Sequence, residues 1–258
     1  PYSYSNAFVM IKIENISKSF GDKTVLDNVS TVFEKGKTNL VIGQSGSGKT
    51  ILMRICIGLL EPDNGEVWFN DRRFSNLDER KRTVIRKDMG VLFQGGALFD
   101  SMNVEENVMF PLNMFSEMSY SDKLDRVNFC LKRVKLENIN KLKTNELSGG
   151  MMKRVAIARA IANNPKYLFC DEPNSGLDPK TSEIIDALIS EITEEYNITT
   201  IINTHDMNSV MMIGQNINFL YNGKLWWKGD NNNILSADNK ELNEFVFSTE
   251  LTRRLKSF

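Results

Sequence analysis

The chain has 258 residues, room for one large or two small domains and for a substantial apolar core. Lys and Arg number 32 against 33 Asp and Glu, a formal net charge of -1, so no basic field marks DNA or RNA as a main partner. The three cysteines (Cys56, Cys130, Cys170) are odd in number and lack metal-ligand spacing, which speaks for a reduced, cytosolic compartment and against a disulfide scaffold.

No apolar run approaches the roughly 18 residues that span a bilayer, and no signal peptide is recognisable, so any membrane role is expected to come through a partner. Residues 1–9 are polar, aromatic and aperiodic, with Met10 reading as a natural start; the fold is sought beyond them. Ile11, Ile13 and Ile16 predict a first, edge strand over residues 11–17. Phe20-Gly21-Asp22-Lys23 is a turn, and Val25, Leu26 and residues 29–33 continue a β ribbon that Glu34-Lys35-Gly36 closes.

Residues 38–42 read as a short buried strand. Gly43-Gln44-Ser45-Gly46-Ser47-Gly48-Lys49-Thr50 then satisfies the G-x-x-x-x-G-K-[ST] pattern, and Ile51, Leu52, Ile55, Cys56 and Leu59 follow at helical spacing. Each part has a physical task. Glycines let backbone N–H groups converge on phosphate oxygens without Cβ clashes. The helix start adds partial positive charge, the Lys49 ammonium reaches terminal phosphates, and the Thr50 hydroxyl suits Mg²⁺. Strand, glycine turn and helix in this order predict a nucleoside triphosphate site.

Further along, Glu61-Pro62-Asp63-Asn64-Gly65 is a turn, residues 66–70 a strand of the same antiparallel ribbon, 77–87 a charged helix and 89–93 a buried strand. From 95 to about 164 only helical patterns occur, at 104–109, 121–134 and 149–162, which predicts a helical insert in an α/β core. The core resumes with a strand at 167–170, a helix at 180–196 behind Asp178-Pro179, a strand at 198–202 and a helix at 207–213. A hairpin turns on Asn222-Gly223, and helices are expected at 239–247 and in the tail 251–258.

Two further stretches carry chemistry. Residues 166–172 form an apolar strand ending in Asp171 and Glu172; after a phosphate loop, such an Asp holds Mg²⁺ and the next Glu is placed to polarise water. Leu147-Ser148-Gly149-Gly150-Met151 opens an alanine-rich helix, where a Ser hydroxyl and two glycine amides form a second phosphate-binding surface. Alone, a Ser-Gly-Gly helix start is only a cap.

Taken together and in order, the motifs resemble those of ATP-binding-cassette (ABC) ATPases over nearly all of residues 11–247. The matching positions are the Walker A loop at 43–50, the Q-loop Gln94 in LFQGG, the signature LSGGM at 147–151 and the Walker B strand YLFCDE at 167–172. The D-loop SGLD at 175–178 and the switch His205, the chain's only histidine, complete the set.

The resemblance implies a P-loop NTPase of α/β class with a RecA-like core, an antiparallel β subdomain and an α-helical lobe. The cassette would run from 10 to 247 with the lobe at about 95–164, and residues 248–258 would form a tail. It implies ATP and Mg²⁺ as cofactors. Phe20 would stack on adenine with Val25 beneath the ring or ribose. Gly43, Gln44, Ser45, Gly46, Ser47, Gly48 and Lys49 would hold the phosphates; Thr50, Gln94 and Asp171 would organise Mg²⁺. Glu172 would be the general base and His205 would contact the γ-phosphate. Ser148, Gly149 and Gly150 would grip the nucleotide of an opposite subunit, so a head-to-tail homodimer with two working sites is expected.

Two positions depart from the pattern. Ile51 replaces a hydroxyl residue that often touches the α-phosphate, and Met151 replaces the usual glutamine of the signature. Ile51 costs one hydrogen bond, worth about 0.5–1.5 kcal/mol. Met151 leaves the Ser and glycine contacts intact and narrows the family.

After Gln94, the run GALFDSMNVEENV (95–108 with its leading glycine) together with LSGGM resembles the ATPase subunit of Mla/Mce-type bacterial phospholipid transporters. That implies membrane permease subunits, an Mce-type lipid-binding protein, possible attachment of a small regulatory subunit, and a place on the cytoplasmic face of the inner membrane. The ATPase of an amino-acid importer, or of a lipoprotein-release or cell-division system, is the alternative. Leu251, Leu255 and Phe258 fall on one face of the expected tail helix, either as a docking peptide or as a frayed terminus.

Overall fold

In a computed structural model, residues 9–247 are described; the expected tail helix lies outside them. The chain begins with two long antiparallel strands, β1 (Val9–Phe20) and β2 (Lys23–Glu34). β3 (Thr38–Ile42), α1 (Lys49–Cys56), β4 (Asn64–Phe69) and the two-residue β5 (Arg72–Arg73) follow. Then come α2 (Glu79–Arg86), β6 (Met89–Leu92), α3 (Val104–Phe115), α4 (Tyr120–Arg133) and α5 (Gly149–Ile161). The last part is β7 (Tyr167–Asp171), α6 (Pro179–Glu195), β8 (Thr199–Thr204), α7 (Met207–Ile213), β9 (Asn216–Tyr221), β10 (Lys224–Gly229) and α8 (Lys240–Val246).

The strands form two sheets. One is antiparallel in the order β2-β1-β4-β5; the other runs β10-β9-β3-β8-β7-β6, parallel except for the β9–β10 hairpin. The expected edge strand is therefore wrong in place and length. β1 is an interior strand, paired on one side with β2 and on the other with β4. Its edge-like look came from broken alternation: register shifts interrupt the pairing around Ile13, Ile16 and Lys18, where Asn15 takes a left-handed φ of 53°.

Side-chain alternation in the parallel sheet sorts the core onto two faces. Leu40, Ile42, Leu168, Cys170 and Ile202 face a cluster shared with α3, α4, α5 and α6. Val41, Tyr167, Phe169 and Ile201 face the other way, onto α1 and the antiparallel sheet. Buried amides and hydroxyls stitch the two sheets together. Asn39 Oδ1 accepts from the Glu34 N–H at 2.7 Å and from Asn216 Nδ2 at 2.7 Å, and Thr31 Oγ1 donates to Asn218 Oδ1 at 2.6 Å. Each buried polar atom in these bonds is paired, which removes the desolvation cost of placing Asn in a strand interior.

Between β6 and β7 the only long elements are helices α3, α4 and α5. α3 opens on a reciprocal cap in which Asn103 accepts from the Glu106 N–H (2.9 Å) and Glu106 accepts from the Asn103 N–H (2.7 Å). Among the described residues, no helix is long and apolar enough to cross a membrane.

Candidate functional site

The order β3-β8-β7 places three adjacent parallel strands side by side, and each delivers site residues from its carboxyl end. That is where ligands bind in open α/β sheets. β3 runs into residues 43–50 and α1, β7 ends at Asp171-Glu172, and β8 leads into His205.

The loop after β3 has the backbone that its glycines permit. Gly46 and Gly48 have φ of 81° and 106°. A Cβ on Gly48 would press on the Leu26 side chain at 2.7 Å and the Val25 carbonyl at 2.9 Å, so only glycine fits. Gly48 caps α1 without any side-chain bond, which leaves the first amides of the helix unbonded by a cap. Lys49 is buried, and its ammonium donates to the carbonyls of Gly43 (2.8 Å) and Gln44 (3.2 Å) with Glu172 Oε1 3.9 Å away. Burial lowers the Lys49 pKa, and the charges of Glu172 and Asp171 oppose that shift.

Thr50 Oγ1 lies 3.3 Å from Asp171 Oδ1, so a hydroxyl and a carboxylate converge although 121 positions separate them in sequence. Asp171 is buried. Glu172 takes a left-handed φ of 49°, held there by its N–H donating to the Asn203 carbonyl at 3.0 Å. Its carboxylate is mostly buried and reaches two partners: the Lys49 ammonium, 3.9 Å from Oε1, and His205 Nδ1, 2.9 Å from Oε2. His205 itself is exposed.

An open cleft of ≈ 520 Å³ is lined by Lys23, Val25, Ser45, Gly46, Gly48, Lys49, Thr50, Ile51, Gln94, Glu172 and His205. The fold thus gathers most of the expected site residues. Gly43, Ser47 and Asp171 are buried and do not line the cleft; the Ser47 hydroxyl has no hydrogen-bond partner among the described residues. Gln44 is exposed on the loop. Phe20 ends β1 with its ring about half exposed (48%), outside the cleft lining but within 5.6 Å of the Lys18 ammonium.

Ser148, Gly149 and Gly150 do not line this cleft. Ser148 caps α5 by accepting from the Met151 N–H at 3.2 Å, and with Gly149 it faces solvent. A Cβ on Gly150 would meet Thr181 at 2.8 Å, so the glycine lets α5 close on the start of α6.

Three residues near the site escaped the motif reading. Lys23 follows the Phe20 turn and carries no pattern. Lys153, on α5, is buried with an ammonium that has no hydrogen-bond partner among the described residues, and burial lowers its pKa. Asn203, inside β8, donates from Nδ2 to Asp171 Oδ1 at 2.9 Å. Its only sequence signal is an amide in an otherwise apolar and β-branched strand.

Comparison with known proteins agrees with this geometry. The family described as "ABC transporter" matches residues 26–175. The methionine import ATP-binding protein MetN of Clostridium tetani is 37% identical over 243 residues, covering 94% of this chain and 76% of that protein. The intermembrane phospholipid transport system ATP-binding protein MlaF of Haemophilus influenzae is 33% identical over 237 residues, covering 92% of this chain and 90% of that protein. MJ0796, a bacterial ABC transporter cassette solved as a dimer, superposes with a TM-score of 0.79 at 36% identity, covering 86% of this chain and 99% of that one. The same cassette is also known in a post-hydrolysis state with ADP and Pi. This chain belongs to the ABC transporter family as an ATP-binding, ATP-hydrolysing cassette.

Proposed function

We propose that this cassette drives phospholipid movement between membranes, as a homodimer docked on the cytoplasmic face of membrane permease subunits. The observation that carries the cargo assignment is the segment after Gln94, GALFDSMNVEENV, read with LSGGM. That segment is a built structure. Asn107, fully buried, accepts from the Phe99 N–H (2.8 Å) and donates to the Phe99, Met102 and Asn103 carbonyls, while Arg159 donates to the Gly96 and Ala97 carbonyls at 2.8 Å. It leaves Phe99 40% exposed, beside a groove lined by Met102, Met109, Phe110 and Tyr120 with the buried Glu105 carboxylate among them. The same groove carries Glu106, Asn113 and Lys141, the last paired with Glu105 at 3.1 Å, and apolar side chains set among charged and amide groups suit a docked amphipathic helix of a membrane subunit. MlaF among the relatives supports the lipid reading. MetN at 37% identity favours a second one, an amino-acid importer.

At the nucleotide, the loop amides and Lys49 bind the β- and γ-phosphates, and Phe20 and Val25 hold the base and ribose. Glu172, oriented by its strained backbone and by His205, accepts a proton from the attacking water, and His205 then faces the γ-phosphate. The Thr50 hydroxyl, which lines the cleft, and the buried Asp171 carboxylate are hard oxygen donors 3.3 Å apart, a set that fits Mg²⁺ together with Gln94. When bound, Mg²⁺ would offset phosphate charge. Ser148 and Gly149, exposed, and the half-buried Gly150, all outside the cleft, close on the nucleotide of the second copy.

Glu172→Gln should retain ATP binding and lose hydrolysis by about 100-fold or more; turnover at the wild-type rate would remove Glu172 from its role. For the cargo, the cassette is co-purified with its permease and the bound molecules are identified by mass spectrometry. Phospholipid in the complex, and ATPase stimulation by phospholipid vesicles, are expected. Methionine-stimulated turnover without lipid would decide for the importer.

A further inference from the structure

Strand β8 runs between β3 and β7, and its register sets Asn203 opposite Val41 on one side and Asp171 on the other. Neighbours in register share a sheet face, so the Asn203 side chain points with Asp171 toward α1. There its Nδ2 donates to Asp171 Oδ1 at 2.9 Å, the same oxygen that lies 3.3 Å from Thr50 Oγ1. The backbone carbonyl of the same residue accepts from Glu172 at 3.0 Å. One residue therefore touches the Asp171 carboxylate with its side chain and the Glu172 backbone amide with its carbonyl.

Stability alone does not explain an asparagine here. Asn203 is 0% exposed, its Oδ1 has no hydrogen-bond partner among the described residues, and the other neighbour of Nδ2 is the Met53 sulfur at 3.8 Å. A buried amide with one end unpaired costs free energy that Val or Leu would not. The amide cannot be relieved by turning over, because that would set Oδ1 against the carboxylate. What the amide does supply is a donor that aims Asp171 without cancelling its charge, as a Lys or Arg in that place would.

We propose that Asn203 is a positioning residue for the divalent cation, holding the Asp171 carboxylate at the Thr50 hydroxyl. The proposal deepens the nucleotide-site reading above and rests on it. Partners one step removed from a metal commonly change metal affinity 10- to 100-fold when lost. The test uses the full chain, Mn²⁺ as the probe cation and Asn203→Val, with Asn203→Leu as the closest apolar shape. Mn²⁺ binding to the ADP-loaded protein is followed by electron paramagnetic resonance, ADP binding is measured separately in EDTA, and thermal melting reports the fold.

The expected result is Mn²⁺ affinity about tenfold weaker, with metal-free ADP affinity unchanged and a cooperative melt in both variants. Mn²⁺ affinity within about twofold of wild type in either folded variant overturns the proposal, as does failure of both variants to fold, which would make Asn203 structural. Wild-type protein that binds neither ADP nor Mn²⁺ would instead sink the nucleotide-site reading itself.

Discussion

Lys49 shows how much a single side chain depends on its surroundings. Its ammonium is buried, and two loop carbonyls with the charges of Glu172 and Asp171 offset the loss of water. An incoming phosphate tail adds the negative charge that burial makes favourable to bind. Ile51 lines the same cleft but offers no hydrogen bond. Ile51→Thr should therefore strengthen nucleotide binding by about 0.5–1.5 kcal/mol and leave turnover within an order of magnitude; a hundredfold gain in ATPase rate would contradict this. Asp186 makes a pH prediction. It is 2% exposed, and burial raises its pKa to about 6, with hydrogen bonds to Ser209 and Asn174 opposing and the charge of Asp206 adding. A raised carboxyl pKa means that the folded state holds its proton more tightly than the unfolded chain. The contribution is thus fully present below the ordinary pKa of 3.8 and is lost as pH rises through about 6. Asp186→Asn should flatten that pH dependence and raise stability at pH 8 by on the order of 2 kcal/mol, read from urea unfolding at pH 4, 6 and 8.

At the scale of elements, the positions of helices depend on small residues that let backbones meet. Gly90 in β6 is one: a Cβ there would run into the Ala160 carbonyl of α5. α5 begins with Ser148 as its cap, so the contact that seats the helix on the sheet also sets the direction of the signature turn. Gly90→Ala should destabilise by about 2 kcal/mol, a fall of several degrees in Tm, measured by calorimetry. An unchanged Tm would show that α5 can shift outward freely. Elsewhere the periodicity was easily read. α6, with Asp178 accepting from the Thr181 N–H at 3.1 Å and Pro179 at its first position, starts where its cap signals place it. α3 continues past Met109 to Phe115, through Pro111. β1 was harder, because irregular pairing hid an interior strand behind an edge-like pattern.

For the whole molecule, the decisive feature is a site whose catalytic half faces the cleft and whose signature half faces outward. Completion by a second copy makes a mixing prediction. Lys49→Ala and Ser148→Arg should each be inactive alone. In a mixture, pairs form in which one site joins the intact Lys49 loop of one chain to the intact Ser148 turn of the other. ATPase activity in the mixture, well above either parent, is expected; activity no greater than the parents would mean that each chain works alone.

The phosphate loop was legible in sequence because local backbone chemistry fixes it, with glycines for left-handed turns and hydroxyl and amine for phosphate; the carboxylate pair and the lone histidine gained meaning only from their order after it. The family resemblance followed from their order. What sequence spacing could not provide was which strands lie side by side. Only the order β3-β8-β7 brings Thr50 to Asp171 and His205 to Glu172, and only the register of β8 against β7 makes Asn203 a neighbour of Asp171. Such contacts arise from parallel pairing between segments far apart in the chain, and no short-range pattern of residues records them.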